Sequence, residues 1–334
     1  MTRRVVIVGD ETLVIPDQLP ALAGAEVRVV RALGAAEAPA LLAAAEAVIV
    51  TPQAFPADFL DAIPRARIVT FVATGFDGLD LEAAARRGIW VTHVPGYCTE
   101  EVATHTVTLL LALNQRLLAQ QALTARGIWD VASARPIHRL RGRTLGLLGF
   151  GRIGQAVTER ARGFGLAVIA HDALVPADRI AAGGARAVDF ETLLAEADYL
   201  SLHTPLTGQT RQIINSQTLA RLRAGAVLIN TARGALVDEP ALLAALEAGR
   251  LAGAALDVLA EEPPPPDHPL LHHPRVLVTP HSAWCSEAAE QELWDRASAE
   301  VARVLDGAPP RWAANRPLPQ GAPSTGKEDR QPTA

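Results

Sequence analysis

The sequence predicts an α/β protein made of two doubly wound parallel-sheet domains, and three observations carry that expectation. Short apolar runs alternate with alanine-rich helical stretches along most of the chain, the pattern of strands that cross over through helices. Midway, between residues 144 and 172, one such unit carries a glycine-rich turn between strand and helix. After Pro280 only one substantial helix remains, at about residues 286–305. A single helix cannot bury a core of its own, so it must complete a domain begun earlier in the chain.

Taken in order, residues 5–8, 26–30, 47–50, 68–71 and 89–92 read as strands, with helices at 35–45 and 81–87 between them. This half has no phosphate loop of its own, because Gly9-Asp10-Glu11 sets acids where a phosphate would sit. A long helix then begins, Thr99 and Glu100 supplying cap chemistry, and continues through Leu109, Leu110, Leu113 and Leu117. Strands follow around Leu147 and Val168, then at 199–202, 226–230, 252–256 and 276–278, with helices near 216–222 and 239–248, enough for a second doubly wound sheet. The economical topology inserts a nucleotide domain, residues 100–282, into a first domain made of residues 1–99 and 283–316, with the active cleft between them. Residues 317–334, polar and rich in proline, read as a disordered tail.

Composition narrows the class. With 334 residues the chain accommodates two domains, and 49% apolar residues are ordinary for a globular protein. A net charge of −5 without a basic block argues against a nucleic-acid partner. The apolar run at 5–8 ends at Gly9-Asp10, too short for a signal-peptide core, and the longest apolar stretch, 107–113, falls far below a membrane span. Cys98 and Cys285 are too few for a disulfide framework and suit a reducing compartment, so the cytoplasm is expected, with no membrane partner.

The glycine-rich turn carries specific chemistry. Gly149 permits a tight turn, Gly151 lets backbone N–H groups approach a pyrophosphate, and Gly154 lets the helix lie close to the sheet. Ile153, Ala156, Val157, Ala161 and Phe164 then recur at helical spacing until Gly165, and a second strand closes on Asp172. Strand, turn, helix, second strand and terminal acid together point to a bound dinucleotide. A carboxylate at Asp172 would accept from ribose hydroxyls and repel a 2′-phosphate, so NAD (NADH) is expected and NADP disfavoured. No metal is expected.

A dinucleotide fold names the cofactor and not the reaction, which is read from polar residues at strand ends. Arg233 follows one predicted strand in Asn230-Thr-Ala-Arg-Gly234, Glu262 lies in the loop after another, and His281 follows a third in Val278-Thr-Pro-His281. An arginine, a carboxylate and a histidine so placed could bind an α-oxo acid and deliver a proton to its carbonyl oxygen.

With these motifs assembled, the chain closely resembles the D-isomer-specific 2-hydroxyacid dehydrogenases. The matching stretches are ATGFDGLD (73–80), VPGYCTEEVATH (94–105), LGLLGFGRIG (145–154), LHTPLTGQTRQII (202–214), INTARGALVDE (229–239), GAALDVLAEEP (253–263) and VTPHSAW (278–284). Two segments, Tyr97 to Glu101 and Pro280 to Glu287, look most like the branch that includes the C-terminal-binding proteins. The resemblance implies an NAD-binding Rossmann domain inserted into a flavodoxin-like substrate domain, and a homodimer. It implies that Arg233 binds the substrate carboxylate, that His281 is the general acid and base, and that Glu262 pairs with its far ring nitrogen. Backbone N–H groups of Thr74 and Gly75 would also hold the carboxylate. Arg152 and Ile153 would contact the pyrophosphate, Asp172 the ribose, and His203, Thr204, Pro205 and Thr210 the adenine end. Thr231, Ala232 and Asp257 would flank the nicotinamide, with Arg233 and His281 close by, and Trp284 would shape the pocket beside His281. The implied reaction interconverts a 2-oxo acid and a D-2-hydroxy acid by hydride transfer. A rival reading from another class is an NAD(H)-responsive, corepressor-like interaction protein with weak dehydrogenase activity. A formate dehydrogenase relative is disfavoured, since that branch pairs its histidine with an amide where this chain has Glu262.

Overall fold

The computed structural model describes residues 2–9, 14–51, 55–76 and 78–318. Asp10 and Glu11, read above as hostile to a phosphate, and residues 319–334 of the expected tail lie outside the described residues. The chain divides into two compact units, one of Met1–Tyr97 with Glu287–Ala334 and one of Cys98–Ser286.

The first unit holds β1 (Arg4–Val8), β2 (Glu26–Val30), β3 (Ala47–Val50), β4 (Ile68–Phe71) and β5 (Trp90–Thr92) in one parallel sheet of order β2-β1-β3-β4-β5. β3 and β4 are buried along their whole length and β1 in all but its first residue. Continuous Val and Ile runs suit strands covered on both faces, whereas edge strand β2 exposes Arg28 and Val29. The helix Glu287–Leu305 buries Leu293, Trp294, Ala297, Val301 and Val304 along one stripe and packs over β3 and β4. Arg67, just before β4, donates to the last carbonyls of that helix, to Leu305 at 3.0 Å and Val304 at 2.7 Å. The helix thus shares the core of the amino-terminal sheet. Leu318 N–H donates to the Ala85 carbonyl at 2.9 Å, so the tail expected from Pro317 is still tied to the fold at its first residues.

The second unit holds β6 (Thr144–Leu148), β7 (Ala167–His171), β8 (Arg186–Ala187), β9 (Tyr199–Leu202), β10 (Ala226–Asn230), β11 (Leu251–Leu256) and β12 (Val276–Val278). They form a parallel sheet of order β12-β11-β10-β9-β6-β7-β8, and the order reverses between β6 and β9. Both expected doubly wound sheets are present. In such a sheet ligands bind outside the carboxyl ends of the strands, at the reversal, which is where the glycine turn after β6 lies. Strand β8, only two residues long, gave no apolar signal in the sequence.

The long helix departs from expectation at both ends. It runs Thr99–Asn114, preceded at the cap position by Cys98, whose side chain does not cap the helix N–H groups, so Thr99 and Glu100 are its first residues and not its cap. It stops short of Leu117 because Arg116 takes a left-handed backbone, φ 50°. Asn114 is buried at this end, accepting from the Tyr199 hydroxyl at 2.6 Å and donating to the His138 carbonyl at 2.9 Å. A separate helix, Leu117–Ala125, follows with none of its residues buried. Among the described residues no helix is long and apolar enough to cross a membrane.

Candidate active site

The cradle for a dinucleotide is built mostly of backbone. Gly149, at φ +100°, directly follows β6, and its N–H donates to the His171 carbonyl at 2.8 Å. A Cβ there would lie 2.5 Å from the His203 carbonyl oxygen, so only glycine lets the turn pass between the ends of β7 and β9. Gly154 sits equally close: its Cβ would fall 2.6 Å from the Gly149 oxygen. At Gly151 the opposite holds, with nothing within 4 Å of a Cβ, and this glycine begins the helix Arg152–Gly163 with no side chain capping its first N–H groups. Open space in front of uncapped helix N–H groups fits a pyrophosphate. Arg152 is exposed at this opening and Ile153 is half-buried behind it.

Asp172 lies just past β7 and does more than the sequence shows. Its Oδ2 accepts the Phe150 N–H at 2.7 Å, and its Oδ1 accepts Leu174 and Val175 N–H at 2.8 and 3.0 Å. The same carboxylate therefore ties the glycine turn to the end of the neighbouring strand. His203, after β9, is drawn down to about 4 by burial and stays neutral, its Nε2 2.9 Å from the Ser201 hydroxyl. Thr204 is half-buried and Pro205 exposed; the Thr210 hydroxyl donates to the Pro205 carbonyl at 2.7 Å and closes the following turn. Among the described residues no group of three or more His, Cys, Asp or Glu side chains could hold a metal ion.

Three neighbouring parallel strands, β10, β11 and β12, end at one edge of the sheet, and each is followed by one member of the chemical set. Arg233 follows β10. Buried Asn230 closes the turn around it, its Nδ2 donating to the Arg233 carbonyl at 2.9 Å and its Oδ1 accepting the Ala232 N–H at 3.0 Å. Thr231 is buried with its hydroxyl 2.9 Å from that of Thr106, on the Thr99–Asn114 helix. Gly234 comes next, and a Cβ there would stand 1.9 Å from the carbonyl carbon of Leu259. The loop after β11 can therefore lie directly on this turn.

That loop presents Glu262. Its Oε1 accepts the Leu259 N–H at 2.9 Å and its Oε2 lies 2.6 Å from Nδ1 of His281. Burial pushes the Glu262 carboxyl up, but the hydrogen bond and charge of His281, the Leu259 N–H and the charge of Arg233 together hold it below the ordinary value. Glu262 is thus ionised at neutral pH, and its carboxylate keeps a proton on Nδ1, leaving Nε2 free to exchange one.

His281 adopts a left-handed backbone, φ 52°, a conformation that persists only where its surroundings hold it. Asp257 supplies that hold. Its carbonyl accepts the His281 N–H at 2.7 Å, and its carboxylate, with the residue 1% exposed, accepts Thr279 Oγ1 at 2.5 Å and the Ser282 and Ala283 N–H groups at 2.9 Å each. His105 Nε2 stands 3.6 Å from the same carboxylate. Trp284, two residues beyond Ser282, is half-buried. Thr74 and Gly75 lie in the other unit, just past β4, where the Thr74 hydroxyl donates to the Val94 carbonyl at 3.2 Å and its carbonyl sits 2.7 Å from His93 Nδ1.

The chain that carries this arrangement, an arginine beside a carboxylate–imidazole pair at the carboxyl edge of a sheet with a glycine turn at its reversal, is similar to known proteins in sequence and fold. Residues 107–283 match the family model described as D-isomer specific 2-hydroxyacid dehydrogenase, NAD binding domain. The chain belongs to this family. The dehydrogenase is 41% identical over 241 residues to a glyoxylate reductase of Korarchaeum cryptofilum, covering 71% of this chain and 72% of that one. Among solved structures it resembles an NADPH-dependent glyoxylate/hydroxypyruvate reductase of Sinorhizobium meliloti, in complex with NADP and malonate, with TM-score 0.82, 31% identity and 96% and 100% of the two chains covered. It also resembles a D-lactate dehydrogenase of Aquifex aeolicus complexed with NAD and lactic acid, with TM-score 0.83, 28% identity and 91% and 96% covered. The dehydrogenase is thus an enzyme of NAD(P)-dependent 2-oxo acid chemistry. These relatives speak for the family and not for the C-terminal-binding branch.

Proposed function

We propose that this dehydrogenase uses NADH to reduce a small 2-oxo acid to the D-2-hydroxy acid, with Arg233, Glu262 and His281 as its catalytic set. The 2.6 Å contact between His281 Nδ1 and Glu262, with the charge of Arg233 acting on the same carboxylate, carries the reading. NADH, when bound, supplies the hydride that C2 of the oxo acid receives. Arg233 holds the substrate carboxylate with its planar donor fork and polarises the oxo group. His281 gives the Nε2 proton to the carbonyl oxygen as negative charge develops there, so that hydride and proton together complete the alcohol. Glu262 keeps the ring in the tautomer and orientation that transfer requires. Backbone N–H groups of Thr74 and Gly75 are assigned as further carboxylate donors, and Trp284 to the pocket wall.

On the cofactor side, Gly149, Gly151, Arg152, Ile153 and Gly154 are assigned to the pyrophosphate and Asp172 to the ribose. His203, Thr204, Pro205 and Thr210 are assigned to the adenine end, and Thr231, Ala232 and Asp257 to the nicotinamide. A carboxylate at Asp172 opposes a 2′-phosphate, which supports NAD over NADP. Glyoxylate and hydroxypyruvate lead the substrate panel because relatives named for them match the chain. Steady-state NADH oxidation with glyoxylate, hydroxypyruvate, pyruvate and branched 2-oxo acids is the test, with turnover expected for at least one. Tight NADH binding without turnover of any would return the corepressor-like reading.

A homodimer in the cytoplasm completes the proposal. The segment from Leu117 to Val131 displays Leu117, Leu118, Trp129 and Val131, with Trp129 91% exposed, an apolar surface suited to a second copy. Light scattering should give twice the 35.3 kDa chain mass, and Trp129→Glu should shift it toward the monomer.

A further inference from the structure

Behind the Glu262–His281 pair stands a second carboxylate and imidazole. Glu239 opens the helix Glu239–Glu247, and its Oε1 accepts the Ala260 N–H at 2.8 Å. Its other oxygen, Oε2, lies 3.3 Å from Nε2 of His268. Ala260 and His268 bracket the stretch of loop that contains Glu262, so one carboxylate fastens both sides of it. The two side chains are only 14% and 18% exposed, which sets them apart from a solvated surface pair.

The far nitrogen of His268, Nδ1, is buried without a hydrogen-bond partner. The tautomer with its proton on Nε2 accounts for this: the Nε2–H faces the Glu239 carboxylate across the 3.3 Å contact and Nδ1 remains a bare lone pair. The opposite tautomer would bury an unmatched N–H and turn a lone pair toward the carboxylate. An acid in the first turn of a helix can also serve only the helix. Here Asp238 already caps the helix through the Ala241 N–H at 3.1 Å, and the carboxylate of Glu239 is directed to the β11 loop instead.

We propose that Glu239, together with His268, is a positioning residue for the acid–base pair, setting the loop that presents Glu262 to His281. Gly234 gives the loop room to approach and Glu239 holds it there. The inference rests on the reading of His281 as general acid. Misplacement by about 1 Å in such a constellation can slow turnover by roughly 10²-fold, while the cofactor turn after β6 takes no part in this contact.

The test is a double-mutant cycle in the full chain, with glyoxylate or whichever panel acid turns over fastest. It reads kcat, its pH profile and the NADH Kd for Glu239→Ala, Glu239→Gln, Glu262→Gln and the double variant Glu239→Ala/Glu262→Gln. Glu239→Ala is expected to lower kcat by about 10- to 100-fold and to change the pH profile in the same direction as Glu262→Gln, with little change in Kd. Glu239→Gln keeps an oxygen for the Ala260 N–H, but its amide suits only the His268 tautomer that buries an unmatched Nδ1–H, so it should recover part of the rate and be faster than Glu239→Ala. The double variant should be no slower than Glu262→Gln alone, because Glu239 acts through Glu262. Wild-type kcat in Glu239→Ala, or a double variant slower than Glu262→Gln by the full single factor, overturns the proposal. Wild-type kcat in Glu262→Gln would instead overturn the acid–base reading on which it rests. If Glu239→Ala does not fold, His268→Leu takes its place in the cycle, and additivity there is equally fatal.

Discussion

The cofactor cradle and the acid–base set are built in opposite ways. The cradle is a single crossover, from Leu148 to Asp172, in which glycines create space and one carboxylate ties the turn to the next strand. The acid–base set draws Arg233, Glu262 and His281 from three strand ends, and each is held in place by another residue: Arg233 by Asn230, Glu262 by the Leu259 N–H and His281 by Asp257. The contrast teaches that binding and chemistry should fail separately. Damage to the cradle should weaken NADH binding, and damage to the strand ends should slow turnover at unchanged NADH affinity.

The largest break is expected at Arg233. Arg233→Ala removes both the carboxylate fork and the charge beside the oxo group, and kcat/KM should fall by about 10³-fold, with far less change in NADH affinity by fluorescence titration. Equal losses in both would mean that the two regions are not separable. Gly149→Ala strikes the other region. The new Cβ would meet the His203 carbonyl at 2.5 Å on a backbone at φ +100°, so a loss of about 1–3 kcal/mol should appear as a lower Tm, together with weaker NADH binding.

Protonation sharpens the same contrast. Glu262 has a folded value below the ordinary 4.5, so as pH falls the unfolded chain takes up the proton first, and the contribution of Glu262 to stability is lost. That contribution is complete above the ordinary value and disappears through the lowered one. The stability gap between wild type and Glu262→Gln, measured by urea denaturation, should therefore be constant near neutrality and close below pH 4.5. A gap that widens on acidification would contradict the assignment. The smallest effect is expected at Asp172: Asp172→Ala should narrow the NAD over NADP preference by only a few-fold, because the carboxylate is already shared among three backbone N–H groups. An unchanged ratio would assign cofactor choice to another group.

The cradle was legible in the sequence because everything it needs is local: a strand, three glycines at fixed spacing, a helix and a terminal acid. Arg233, Glu262 and His281 were legible only as an ordered set after strand ends, since nothing local distinguishes Glu262 from its neighbour Glu261. What holds them was not legible. Asp257 and Glu239 act on backbone N–H groups brought to them by the folding of distant segments, and the resemblance that sets Asp257 beside the nicotinamide says nothing of its hold on the His281 turn. The end of the long helix was hidden for a related reason, since Leu117 continues the apolar pattern while Arg116 has already turned left-handed and Asn114 is pinned by Tyr199 and His138.

The separation of binding from chemistry is tested most directly by mixing His281→Ala, saturated with NADH, with the 2-oxo acid that wild type turns over fastest, and following NADH oxidation in a single turnover. NADH should bind with wild-type affinity while its oxidation slows by at least about 10²-fold. Oxidation at the wild-type rate would remove His281 from the chemistry, and loss of NADH affinity would show that the two regions fail together.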